Sequence, residues 1–177
     1  ATPPHDETLA LCRQRLGMVI DNKYELRDLL GYGASGAVYR AQNRWAGRPC
    51  AVKIFHYEGE GSQLVLQRFI REAQAINRVK KNGKLHPHVV DAIDVGRDRS
   101  SGLYFIVQEL LHGETFARRL LHETGRRLAL HDALAILRPV FDAIACAHDA
   151  GIVHRDLKPE NIFLLQDGET VTPKVLD

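Results

Sequence analysis

The spacing of apolar residues along this chain switches between a period of two and a helical period, and each switch marks an element. Tyr24-Glu25-Leu26-Arg27-Asp28-Leu29-Leu30 alternates loosely and predicts a strand running into Gly31-Tyr32-Gly33-Ala34-Ser35-Gly36. Ala37 to Ala41 predicts the returning strand. The turn Arg44–Pro49 follows, then Cys50 to Phe55 as a third strand, so the three form an antiparallel meander. Leu66, Phe69, Ile70, Ala73, Ile76 and Val79 recur at helical spacing and predict a helix over 63–80, closed by Asn82-Gly83. Two more strands are predicted over 89–96 and 103–109, joined by Asp98-Arg99-Ser100-Ser101-Gly102.

The second half reads differently. A short helix is predicted over 115–123 and a longer one over 131–149, with Leu134, Leu137, Phe141, Ile144 and Ala145 on one face and Gly151 as its stop. Pro139 lies inside that helix and removes one backbone hydrogen bond. Residues 151–165 read as loop and short strand, and 172–177 as another short strand. Residues 1–8 are polar and proline-bearing and predict a loose lead-in, with one or two helical turns over 9–17 ended by Gly17. The pattern is therefore α+β: a strand-rich first half with one helix, a linker near 109–114, and a helical second half.

Composition narrows the classes. Apolar residues make up 45% and charged residues 26%, which is globular. A net charge of +2 argues against a dedicated nucleic-acid binder, and Arg118-Arg119 and Arg126-Arg127 read as solvated helix faces. Cys12, Cys50 and Cys146 fit neither a disulfide framework nor a zinc spacing, so a reducing, cytoplasmic setting is expected. None of the nine histidines stands in a metal-site pattern. The apolar runs are too short to span a bilayer, so no membrane segment is expected here.

Three constellations carry candidate chemistry. Gly31, Gly33 and Gly36 sit between two predicted strands, which excludes the strand-to-helix context of a dinucleotide fold and leaves two readings. One is a plain flexible hairpin; the other is a loop whose backbone N–H groups lie over a polyphosphate. Lys53 stands mid-strand in Ala51-Val52-Lys53-Ile54, where burial calls for an anionic partner, and Glu72 at the edge of the next helix is a candidate. Two unrelated surface charges are the other reading of that pair. His154-Arg155-Asp156-Leu157-Lys158-Pro159-Glu160-Asn161 is far more specific. A carboxylate, a lysine two residues on and an amide five residues on can orient a hydroxyl, reach a phosphoryl group and ligate a metal.

These motifs stand in the order of a Ser/Thr protein kinase catalytic domain, which the chain resembles over about residues 20–177, most closely in its bacterial members. The resemblance implies a protein-kinase-like fold: an N-lobe with a five-stranded antiparallel sheet and one main helix, and the first part of a helical C-lobe. The implied boundaries are an N-terminal extension at 1–20, N-lobe 21–108, hinge 109–114 and partial C-lobe 115–177. It implies ATP and Mg²⁺ as cofactors. Leu30, Gly31, Gly33, Gly36, Val38, Ala51, Lys53, Gln108, Glu109, Leu111 and Phe163 would bind ATP, with Glu72 steadying Lys53. Gln108 would stand where an apolar residue is commoner, making the back of the pocket more polar. Asp156 would act on the substrate hydroxyl, Lys158 would stabilise the γ-phosphoryl charge, and lysine there suits Ser/Thr kinases. His154 and Arg155 would be structural or regulatory. Asn161 and Asp177 would bind Mg²⁺, with Asp177 as the aspartate of Asp-Phe-Gly and Lys174-Val175-Leu176 the strand that delivers it.

The implied activity is Mg·ATP-dependent phosphoryl transfer to Ser/Thr hydroxyls of protein substrates that the sequence does not identify. An ATP-binding pseudokinase and a non-catalytic interaction fragment are the alternatives. Because family members continue past this aspartate, the 177-residue stretch is expected to bind nucleotide poorly, to be inactive alone and either to aggregate or to self-associate through the apolar face of helix 131–149.

Overall fold

The computed structural model describes residues 5–33, 36–56, 63–123, 127–168 and 170–176. Contacts divide the chain into two units, Ala1–Ala73 with Ala92–Leu110, and Gln74–Asp91 with Leu111–Asp177.

The first unit is built on a six-stranded antiparallel sheet in the order β1-β2-β3-β4-β8-β7. Its members are β1 (Val19–Ile20), β2 (Tyr24–Gly33), β3 (Gly36–Asn43), β4 (Pro49–Phe55), β7 (Ala92–Arg97) and β8 (Tyr104–Gln108). The five expected strands are all present. The sixth, β1, is a two-residue edge piece that pairs Val19 with Glu25 and Ile20 with Tyr24, too short to leave a period in the sequence. Alternation explains the core: Tyr24 and Leu26 of β2, Ala37 and Tyr39 of β3, and Val52 and Ile54 of β4 are buried together with Phe105 and Val107 of β8.

Helix α1 (His5–Gln14) begins earlier than the expected lead-in allowed. The reason is tertiary: Cys12 joins the sheet core, and the Tyr39 hydroxyl donates to the Cys12 carbonyl at 3.0 Å. Helix α2 (Gln63–Arg78) supplies Phe69, which stacks edge-on against Phe55 at 5.7 Å and lies 5.1 Å from Tyr104. Ile70, expected on the inward face, is exposed; the side chains of Leu66, Ala73 and Ile76 lie outside the described set.

In the second unit, Asn82 and Gly83 do not end the helix as expected, because α2 stops at Arg78 and Lys80–Lys81 is already a strand. Asn82 and Gly83 have positive φ, the requirement of a tight two-residue hairpin turn, and they join β5 (Lys80–Lys81) to β6 (Lys84–Leu85). A three-stranded sheet runs β11-β10-β9, from β9 (Gly113–Thr115), β10 (Ile162–Asp167) and β11 (Thr170–Val175). Pro173 is tolerated because β11 is the edge strand of that sheet. The expected strand over 89–96 is split. Val89 bridges Val175 in parallel and Val90 N–H donates to the Val175 carbonyl at 3.1 Å, while only Ala92–Arg97 joins β8.

Helix α3 (Phe116–His122) is capped by Thr115, whose hydroxyl accepts from Arg118 N–H. Helix α4 (Leu130–Asp149) packs Ile136, Val140, Ala143 and Ala147 inward, and Gly151 after it has φ +73. This corrects the expected face. Leu134 and Phe141 are exposed, Ala145 is exposed, and Leu137 and Ile144 lie at the flank. No helix among the described residues is long and apolar enough to cross a membrane.

Candidate active site

Lys53 sits in β4 between Val52 and Ile54, opposite Val38 of β3 and Ile106 of β8. Alternation turns its side chain away from the core shared by its neighbours, yet the side chain is only 4% exposed. Its Nζ meets Glu72 Oε1 at 2.6 Å, and the ammonium lies 5.5 Å from the Phe55 ring centroid. Glu72 is 18% exposed. A buried ammonium needs such a partner, since an isolated charge there is strongly disfavoured. The sequence-level suggestion that these two residues meet is realised in the structure.

The three glycines between β2 and β3 differ. A Cβ added at Gly31 or Gly33 would meet nothing within 4 Å, whereas one at Gly36 would lie 2.3 Å from the Ile54 carbonyl oxygen. Gly36 is therefore required by close β3–β4 pairing. Gly31 and Gly33 face open space, where a bare backbone can approach a ligand. Leu30 is exposed and Val38 half-buried on the same two strands, and Ala51 is buried on β4. Gln108, at the end of β8, is buried, and its Nε2 has no hydrogen-bond partner.

In the second unit the segment 154–161 folds into a tight loop ending in one 3-10 turn, Pro159–Asn161. Asp156 N–H donates to the His154 carbonyl at 2.9 Å. Arg155 between them has φ +63, a conformation disfavoured for a long side chain and tolerated where the surroundings impose it. Lys158 Nζ donates to Asp156 Oδ2 at 2.7 Å. Asn161 Nδ2 donates to Asp156 Oδ2 at 3.1 Å and to its carbonyl at 2.9 Å. Asp156 remains 64% exposed, open to an incoming group. The hydrogen bond and charge of Lys158 hold its carboxyl below the usual carboxylate range, with Asn161 adding to the effect.

Two supports were not legible in the motif. His154 Nε2 lies 3.0 Å from the Leu176 carbonyl oxygen, and Leu176 N–H donates to the Asn161 carbonyl at 2.9 Å. Together they tie the end of β11 to the loop. Asp177 itself lies outside the described residues. Phe163 follows on β10, paired with Thr115 of β9; Glu109 and Leu111 flank Leu110 between β8 and β9, half-buried.

Each unit by itself carries groups that could hold part of a phosphate-bearing ligand or a hard divalent cation. Asn161 spends its Nδ2 on Asp156, which leaves Oδ1 as an oxygen ligand. Lys53 supplies a fixed cation, Gly31 and Gly33 leave room for phosphates, and Gln108 keeps a buried donor in reserve.

The family model described as the protein kinase domain matches residues 24–177. A probable serine/threonine-protein kinase of Clostridium perfringens is 35% identical over 153 residues, covering 86% of this chain and 21% of that protein. The serine/threonine-protein kinase PknL of Mycobacterium tuberculosis is 36% identical over 151 residues, covering 85% and 36% respectively. The solved PknI kinase domain of M. tuberculosis superposes with a TM-score of 0.73 at 25% identity, covering 92% of this chain and 60% of that one. This chain thus spans well under half of each of these two relatives.

Proposed function

Because the chain belongs to the protein kinase family, we propose that the protein transfers the γ-phosphoryl group of Mg·ATP to serine or threonine hydroxyls of protein substrates. The observation that carries this reading is the convergence of Lys158 and Asn161 on the Asp156 carboxylate. Phosphoryl transfer asks a protein mainly for positioning and for cations around developing negative charge.

In this reading Asp156 orients the incoming hydroxyl and accepts its proton on the exposed carboxylate. Asn161 holds that carboxylate's angle, so the base is aimed before substrate arrives. Lys158, two residues on, leaves Asp156 to neutralise the γ-phosphoryl oxygens. Lys53, fixed by Glu72, binds the α- and β-phosphates. Gly31, Gly33 and Gly36 lie over the phosphates. Leu30, Val38, Ala51 and Phe163 enclose the base, Gln108 lines its inner end, and Glu109 and Leu111 offer backbone groups to its edge. Asn161 Oδ1 and Asp177 would hold Mg²⁺, which supplies charge neutralisation on the phosphates when bound.

The lobe boundaries 21–108, 109–114 and 115–177 belong to the same proposal. The free cysteines fit a cytoplasmic setting.

The test is transfer of labelled γ-phosphate from Mg·ATP to a generic protein substrate by the full chain. Incorporation into serine and threonine that disappears in Asp156→Asn is expected. Transfer that survives Asp156→Asn at the parent rate would refute the mechanism.

A further inference from the structure

His86, Asp142 and Cys146 bring one imidazole nitrogen, one carboxylate oxygen and one thiol sulfur within 4.8 Å of one another, all inside the second unit. None of them takes part in the chemistry proposed above. Asp142 and Cys146 are four residues apart on α4 and so project from one face. His86 comes from the loop between β6 and β7, and its ring is fully buried. His86 Nε2 lies 3.0 Å from Asp142 Oδ2, and Lys81 Nζ lies 2.5 Å from the same oxygen. An ammonium thus already occupies a cation position against this carboxylate.

We propose that His86 Nε2, the Asp142 carboxylate and Cys146 Sγ form a binding site for a divalent transition metal of the Zn²⁺ class, with Lys81 as the resident cation that the metal displaces. A mixed nitrogen, oxygen and sulfur set is borderline-soft and suits Zn²⁺, whereas Mg²⁺ and Ca²⁺ take oxygen donors. Three protein donors leave the fourth tetrahedral position to water. Bond lengths of about 2.0–2.3 Å place tetrahedral donors roughly 3.5 Å apart. The His86–Asp142 pair is already that close, and Cys146 Sγ lies within 4.8 Å of both. Lys81 is half-exposed, so its ion pair adds little and gives way readily.

The protons balance as follows. The His88 N–H points at His86 Nδ1 at 3.3 Å, so in the metal-free protein the ring carries its proton on Nε2 and donates it to Asp142. The metal takes the Nε2 lone pair. The ring proton moves to Nδ1, and the long contact from His88 is given up. The Cys146 thiol releases its proton to solvent, and Lys81 swings out still charged. One proton is released for each metal bound. The bound ion staples α4 to the 79–91 segment.

Cobalt(II) titration of the full chain tests this, because a thiolate ligand gives a sulfur-to-cobalt charge-transfer band. The band is expected to appear, to be abolished by stoichiometric Zn²⁺ and to be lost in Cys146→Ala. Lys81→Ala, which removes the competing cation, is expected to bind cobalt about two- to five-fold more tightly. The Cys12→Ala/Cys50→Ala variant keeps the band, as those thiols lie in the first unit. Absence of the band, its survival in Cys146→Ala, or weaker binding by Lys81→Ala would overturn the proposal. Cys146 and Lys81 are not fully buried, so neither variant depends on repacking a core.

Discussion

Lys53 Nζ and Glu72 Oε1 lie 2.6 Å apart, joining the central strand β4 to helix α2 across 19 residues of sequence. The pair is largely out of water, and such pairs are weak evidence for stability, since apolar residues of similar volume often replace them without loss. A pair that adds little stability suits a functional cation better than a structural one. We predict that Lys53→Met/Glu72→Gln keeps the urea midpoint close to the parent's while kcat/KM for phosphoryl transfer falls by at least about 10²-fold. Equal losses of stability and activity would mean the pair serves folding.

The carboxyl of Asp156 is held low by Lys158, so it stays ionised as pH falls past the ordinary carboxylate range. A general base must be unprotonated, so the acid limb of the kcat/KM profile, which reports the free enzyme before Lys158 leaves Asp156, should sit at low pH. Lys158→Ala removes the main cause and should move that limb to higher pH, besides lowering kcat. Rate profiles of parent and variant with coincident acid limbs would dissociate Asp156 from the proton transfer.

Gly36 and Gly33 belong to one motif but meet different constraints. A methyl at Gly36 would strike the Ile54 carbonyl, so Gly36→Ala should destabilise the protein by about 1–3 kcal/mol through forced separation of β3 and β4. Gly33→Ala meets nothing within 4 Å; it should fold normally and raise KM for ATP. Thermal unfolding and ATP titration of the two variants read the two effects separately.

Asp98 is buried at the β7–β8 turn, where its carboxylate accepts from the hydroxyls of Ser100 and Ser101, from Ser101 N–H and from Asp21 N–H at 2.6–2.9 Å. Burial opposes ionisation, but these donors together outweigh it and bring the pKa down to about 2. A carboxyl lowered from 3.8 in the folded state stabilises it fully above about pH 4, and that stability is lost as pH falls toward 2. The contribution is on the order of 2 kcal/mol. Asp98→Asn should remove it at neutral pH and flatten the acid arm of the unfolding curve; an unchanged acid arm would count against this role.

The order of elements and the identity of the candidate chemistry were readable from the chain. Alternation over 24–30, 37–41 and 50–55 specifies strands because a half-buried sheet demands period two. The loop from His154 to Asn161 declares itself because its functional groups are close in sequence and its geometry is local. What the chain left open lies where several local patterns are equally good. Helix α4 carries apolar residues on most of its circumference, so its period permits a stripe through Leu134 and Phe141 as readily as one through Ile136, Val140, Ala143 and Ala147; packing against Ile162, Leu164 and Val175 selects the second. Strand β9 has three residues with no apolar period and exists because β10 offers it hydrogen-bond partners. His86 likewise has no ligand spacing in sequence, and meets Asp142 56 residues away through tertiary contact. Periodicity determines which residues can be buried and which loop can do chemistry, but the choice among equivalent faces, and every pairing between distant charges, is made by the close packing of one element against another.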